Sequence, residues 1–129
     1  MHKHHTFFTA KAETGIGNYC FASAYDKIGF TVDANSVSTL TVKFQGSIME
    51  DAPDFTASQT SINQWDYIEV VDMEDGTAYN GDVGCAIAGA VEHLQFQANV
   101  DGLIWVNVVI SDYTSGDVTA RGVLFNLNK

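Results

Sequence analysis

The chain has 129 residues, with 16 acidic against 6 basic side chains and a net charge of −10. A single domain of this length buries about two-thirds of the surface its unfolded chain exposes, so it can hold a core without staples. With 46% hydrophobic and 17% charged residues it is too apolar to stay disordered. The acidic surplus argues against nucleic acid, which needs clustered Lys and Arg, and no apolar run reaches the ~18 residues of a membrane helix.

Met1 to about Asn18 reads as an irregular arm, leaving 19–129 as the folded domain. The arm holds His2, His4 and His5 and the loose stretch Thr14-Gly15-Ile16-Gly17-Asn18. It has no long apolar stretch or small-residue cleavage site, so no secretory signal is read. It also holds Phe7 and Phe8. Two adjacent phenylalanines on a loose segment need a cover, so the arm is expected to take its order from a neighbouring molecule.

Strand signals follow. Tyr25 to Val32 is a strand, and Ser38 to Ile48 a second. In the latter Leu40, Val42, Phe44, Gly46 and Ile48 alternate with polar residues, the period of a half-buried strand. Met49 to Asn63 is a long loop carrying the one proline, Pro53, with a helical turn near Asp54 to Ser58. Gln64 to Asp72 resumes the strand pattern. Turns fall at Glu74-Asp75-Gly76, Asn80-Gly81-Asp82 and Asp101-Gly102. Val83 to Ala88 and Leu94 to Val100 are short strands separated at Gly89-Ala90. Leu103 to Tyr113 and Asp117 to Leu127 read as a closing hairpin turning at Thr114-Ser115-Gly116-Asp117. The sum is an all-β domain, a jelly-roll-like or Ig-like sandwich of about seven to nine antiparallel strands.

Little in the chain points to chemistry. His2, His4 and His5 could face a metal, but a loose arm gives no rigid frame for three or four ligands. His93 stands alone beside Glu92. The acidic groups Asp72, Glu74, Asp75 and Asp82, and Glu50, Asp51 and Asp54, lack the order of a calcium loop and read as solvated loops. Gly15-Ile16-Gly17 lacks the third glycine and the helix of a phosphate loop. No nucleophile motif is present. No enzyme activity, metal or cofactor is expected. Cys20 and Cys85 are outside any CxxC pair; they could pair, or remain as two buried thiols.

The aromatic residues hold more interest. Trp65, Trp105, Tyr67, Tyr79 and Tyr113 could stack on sugar rings, or serve as core and subunit contacts. Trp105 is expected to be largely buried, because its strand is apolar on both faces. Ile104, Val106, Val108 and Ile110 lie on one side, and Trp105 and Val109 on the other. With Phe125 of the last strand, a covered sheet or a subunit contact is expected there. Phe7, Phe8, Trp65, Trp105, Val109 and Phe125 are therefore the interface candidates.

From Ser38 onward the chain resembles a group of small tailed-bacteriophage virion proteins. Three stretches carry the likeness: STLTVKFQGSI from Ser38; NQWDYIEV from Asn63 with DMEDGTAYNGD from Asp72; and NVDGLIWVNVVISDYTSGDV from Asn99. The first 37 residues have no counterpart in that pattern. The resemblance implies a non-enzymatic β-sandwich used in head decoration, head fibres, or neck and tail parts. It further implies a capsid decoration protein on the major capsid protein, with a neck or tail component and a glycan-binding virion module as the alternatives. A homo-oligomer, a trimer by preference, is expected, made in the host cytoplasm and located in the virion.

Overall fold

The alternation that begins at Ile28 does not stop at Val32. In the computed structural model, which describes residues 2–59 and 64–127, one strand, β4, runs from Lys27 to Ser47. Its buried apolar positions, among them Ile28, Phe30, Val32, Leu40, Val42 and Phe44, keep one parity, and Asn35, Ser36 and Val37 interrupt the alternation by facing solvent. The two strands expected here are one. The same fusion occurs later: Cys85–Asn99 is a single strand, β8, because Gly89 takes φ 68 and passes the chain through a bulge instead of ending it.

The remaining strands are β1 (His2–Lys11), β2 (Gly15–Ile16), β3 (Cys20–Phe21), β5 (Asp66–Tyr67), β6 (Val70–Asp72), β7 (Ala78–Tyr79), β9 (Trp105–Ser115) and β10 (Val118–Phe125). Every pairing is antiparallel, and all strands belong to one sheet. The all-β expectation holds. β6 and β7 form the hairpin expected around Gly76, which has φ 76.

The expected closing hairpin is not formed. β9 and β10 do not pair with each other among the described residues. Both run antiparallel to β4 along the same edge, β9 opposite Thr39–Ser47 and β10 opposite Lys27–Ala34. They are two halves of one long strand interrupted at Gly116-Asp117. The glycine at 116 creases a strand rather than reversing it.

That crease crosses the whole sheet. It passes through Gly89 to Val91 on β8, Asn35 to Val37 on β4 and Gly116-Asp117 between β9 and β10, where the β4–β8 register shifts. The sheet doubles over along this line, and its halves face each other as two layers. The first layer holds β1, β10, the start of β4, the end of β8, β6 and β7. The second holds β2, β3, β9, the end of β4, the start of β8 and β5. Phe44 of the second layer packs against both Phe30 and Phe96 of the first, at 4.5 and 5.5 Å between ring centroids. The chain spans the open end through short bonds: Val100 N donates to Asp26 O, and Ile104 N to Ser47 O, each near 2.8–2.9 Å.

The N-terminal segment corrects the sequence reading most. Residues 2–11 are not a free arm but strand β1, paired with β10 from His2↔Phe125 to Lys11↔Val118. A bulge between Thr6 and Phe8 explains why both phenylalanines go inward. In a regular strand neighbours point to opposite faces. Here Phe7 is fully buried against Phe30 and Phe8 is almost so. Phe7 O also accepts from Asn18 N at 2.8 Å, which ties the edge of the first layer to the segment beside β9. Gly17 permits that approach, since a Cβ there would lie 2.8 Å from Phe7 O.

Candidate functional site

The inner faces of both layers are closed apolar core, so any site must lie on the outer surfaces. The outer face of the second layer carries residues of odd number on β4 and β9. Gln45 and Ser47 are buried there although they point away from the core: the 50–59 loop lies over Gln45, and Ser47 donates to Gln64 O at 2.6 Å. That loop is fixed by side chains reaching up from below. Gln45 Nε2 donates to Phe55 O at 3.2 Å, and Trp65 Nε1 to Ala57 O at 3.1 Å. Asp54 begins the loop's tight turn: its carboxylate accepts from the Thr56 backbone and hydroxyl, which holds it below the usual carboxylate range. The helical turn expected near Asp54 is this single turn, closed by Ala57 N donating to Asp54 O.

An aromatic ribbon crosses the face. It runs Phe21, Trp105, Tyr19, Phe55, Trp65, Tyr67, with successive ring centroids 5.0–6.3 Å apart, mostly edge to face. Such contacts suit the ring quadrupole. Lys43 caps one end over Tyr67 at 4.8 Å, and Lys3 the other over Phe21 at 5.8 Å. Burial raises the Tyr67 phenol above its ordinary value, with Asp82 adding to the shift.

The two ends of the ribbon differ. At the Phe21 end the apolar surface is open: Tyr19 is 46% exposed and Phe21 45%, with Met49 beside them. Trp105 is only half-buried there, its indole N–H donating to Met49 O at 3.0 Å. The expectation of a largely buried Trp105 therefore gives way. The β9 strand is apolar on both sides, but its first residue sits at the sheet's end, where only Tyr19 and Phe21 flank it. Trp65 is the buried indole, at 6% exposure.

At the Tyr67 end the ribbon borders a groove of about 440 Å³. Its walls include Ile16, Phe55, Ala57, Trp65, Tyr67 and Val109, and its floor includes Gln45 and Ser111. No charged side chain among the described residues lines it. Gln45 Oε1 and Ser111 Oγ are both shut off from solvent and have no hydrogen-bond partner among the described residues.

The interface candidates are thus scattered. Phe7 lies in the protein's own core and has no surface to offer a partner; Phe8 is nearly as deep. Trp65 and Val109 share the groove, Trp105 lies at the open end of the ribbon, and Phe125 is half-buried on the first layer near His2. Tyr19, Phe21, Gln45 and Ser111 were not singled out from sequence. The aromatic pair at 19 and 21, in an otherwise small and polar segment, was the one available signal.

The remaining polar candidates serve the fold. Asp72, Asp75 and Asn80 accept backbone N–H groups two residues on, at 2.8–2.9 Å, shaping their own turns. Among the described residues no cluster of three or more His, Cys, Asp or Glu could hold a metal. His5 Nε2 lies 2.6 Å from Asn18 O, and His93 pairs with Asp33 at 2.9 Å. Cys20 and Cys85 are separate buried thiols. Burial pushes both upward, Cys85 to about 11 with Glu92 adding to the shift. Asn63, within one of the stretches that resemble virion proteins, lies outside the described residues.

No protein-family model and no curated protein sequence matches the chain at a significant level. Two solved structures share the fold. The SPBc2 prophage-derived protein YomS superposes with a TM-score of 0.65 at 17% identity, covering 96% of this chain and 92% of its own. The PBSX exported protein XepA superposes with a TM-score of 0.69 at 14% identity, over 96% of this chain but 37% of its own length. YomS is prophage-derived, and XepA is an exported protein. At these identities the likeness is one of fold.

Proposed function

We propose that this chain is a non-enzymatic structural protein of a tailed phage particle, a capsid decoration protein that attaches as a multimer, by preference a trimer, to the major capsid protein. The observation that carries the reading is the open apolar end of the ribbon. Tyr19, Phe21, Met49 and Trp105 gather aromatic and aliphatic surface from three chain segments in one place, on an otherwise acidic molecule. Aromatic residues and Met are enriched at protein interfaces, and a contiguous apolar patch on a soluble surface marks a contact site. Two further facts support the phage assignment: the resemblance of the Ser38, Asn63 and Asn99 stretches to virion proteins, and the fold shared with the prophage-derived protein YomS.

Electron microscopy of assembled particles tests the reading. Density for this chain on the outer face of the head shell is the expected result. Density confined to the neck or tail would assign it there instead, and particles in which it is absent would overturn a structural role.

A further inference from the structure

The groove beside Trp65 is unrelated to the docking end of the ribbon and is built differently. We infer that it is a binding subsite for a neutral saccharide ring. This goes beyond the proposed structural role and does not rest on it.

Three features select the ligand class. The first is the pair of unpartnered atoms. Gln45 is 1% exposed, and its amide nitrogen is committed to Phe55 O, so its carbonyl oxygen is left as an acceptor without a donor. Ser111 Oγ, on the neighbouring strand, is likewise unpaired. Buried polar atoms are nearly always paired, and each exception asks for an explanation. A hydroxyl both donates and accepts, so hydroxyls on opposite sides of one ring suit an amide oxygen and a serine that stand four residues apart along neighbouring strands. The second feature is charge. No charged side chain among the described residues lines the groove, although the chain is strongly acidic, which disfavours anionic and cationic ligands alike. The third is the wall. Trp65, Phe55 and Tyr67 give the aromatic surface against which the C–H face of a sugar packs, and the volume of about 440 Å³ holds one ring.

Gln45 is covered by the Phe55–Gln59 turn. That turn is tied to the sheet by the Gln45 and Trp65 bonds to its carbonyls. A ring enters as the turn lifts, and its hydroxyls take the place of those ties. Gln45 and Trp65 therefore report directly on occupancy.

The test is nuclear magnetic resonance of the full chain titrated with glucose, galactose and N-acetylglucosamine, with glucuronate as the charged comparison. At least one neutral sugar is expected to shift the Gln45 side-chain amide and the Trp65 indole signals. Gln45→Leu and Ser111→Ala should each weaken that binding at least about tenfold, the equivalent of 1.4 kcal/mol. Val71→Ser, on the first layer, should leave it unchanged. The inference is overturned if none of the three neutral sugars shifts these signals, if glucuronate shifts them as strongly, or if Ser111→Ala, which has little fold to disturb, binds as the parent does. Particle attachment, measured separately, can fail without touching this result.

Discussion

Phe30 and Phe44 belong to the same strand, and their ring centroids are 4.5 Å apart. In a straight strand rising about 3.3 Å per residue they would be separated by about 45 Å. Their contact is therefore a direct measure of the crease at Asn35 to Val37. It joins the two layers that the doubled sheet brings together. Phe44→Ala should destabilise the protein by about 3–5 kcal/mol, since it opens a large cavity under Phe30 and Phe96. A double-mutant cycle of Phe30→Ala with Phe44→Ala, read by urea denaturation, should return a coupling of about 0.5–1.5 kcal/mol. Additive losses would mean that the layers do not meet through these rings.

Phe7 supplies the second prediction. It is fully buried and its strand completes one edge of the sheet. Phe7→Ala should cost about 3–5 kcal/mol. Removing residues 2–11 exposes the whole β10 edge as well. With a typical stability of only about 5–15 kcal/mol, the shortened chain should fail to fold. Circular dichroism of the truncated protein checks this, and a native spectrum with an unchanged melting temperature would count against an integral β1.

Gly116 sits at the crease with φ 90, and a Cβ added there would come within 2.6 Å of Ser38 Cα. Gly116→Ala combines backbone strain with a clash against backbone, so a loss above about 2 kcal/mol is expected. Gly102 has φ 92 but open space around it. Gly102→Ala should therefore cost only the conformational strain, about 1–2 kcal/mol. Comparing the two melting curves separates strain from close approach.

Cys85 gives a pH dependence. Its thiol is raised from an ordinary value of 9.0 to about 11, so the folded protein holds this proton more tightly than the unfolded chain does. Between these values the unfolded state carries fewer protons, and stability must fall as pH rises. The contribution is complete below about pH 9 and is lost as pH climbs through about 11. Cys85→Ser should flatten that part of the stability profile. In the native protein both thiols should react slowly with a thiol reagent at pH 8, and quickly once urea unfolds the chain.

Trp105→Ala probes attachment to the particle. The indole is half-buried against Tyr19 and Phe21, so its loss should disturb the fold little. If the apolar end docks on the shell, a central tryptophan should contribute about 2 kcal/mol or more to binding. Co-sedimentation of the variant with particles lacking the parent protein should show a marked drop in occupancy. Undiminished occupancy would place the contact elsewhere on the molecule.

The local pattern of the sequence determined the secondary structure class and much of the core. The period of two from Leu40 to Phe44 named a strand and its inward residues before any neighbour was known, because side chains alternate along any strand whatever it pairs with, but it did not join that strand to Tyr25–Val32. Gly76, Gly102 and Gly116 marked changes of direction, since a positive φ is a local property. What those changes accomplish is not local. Asp75-Gly76 makes a hairpin and Gly116-Asp117 a crease, and the difference lies in which strand stands opposite: β6 pairs with β7, whereas β9 and β10 both pair with β4. Phe7 and Phe8 looked like a loose, sticky pair because adjacent residues should face opposite ways; only the bulge opposite Ala120 turns both inward. The groove was invisible for the same reason. Gln45 is an ordinary outward residue in the sequence, and the loop folded over it, with Phe55, is what removes it from water.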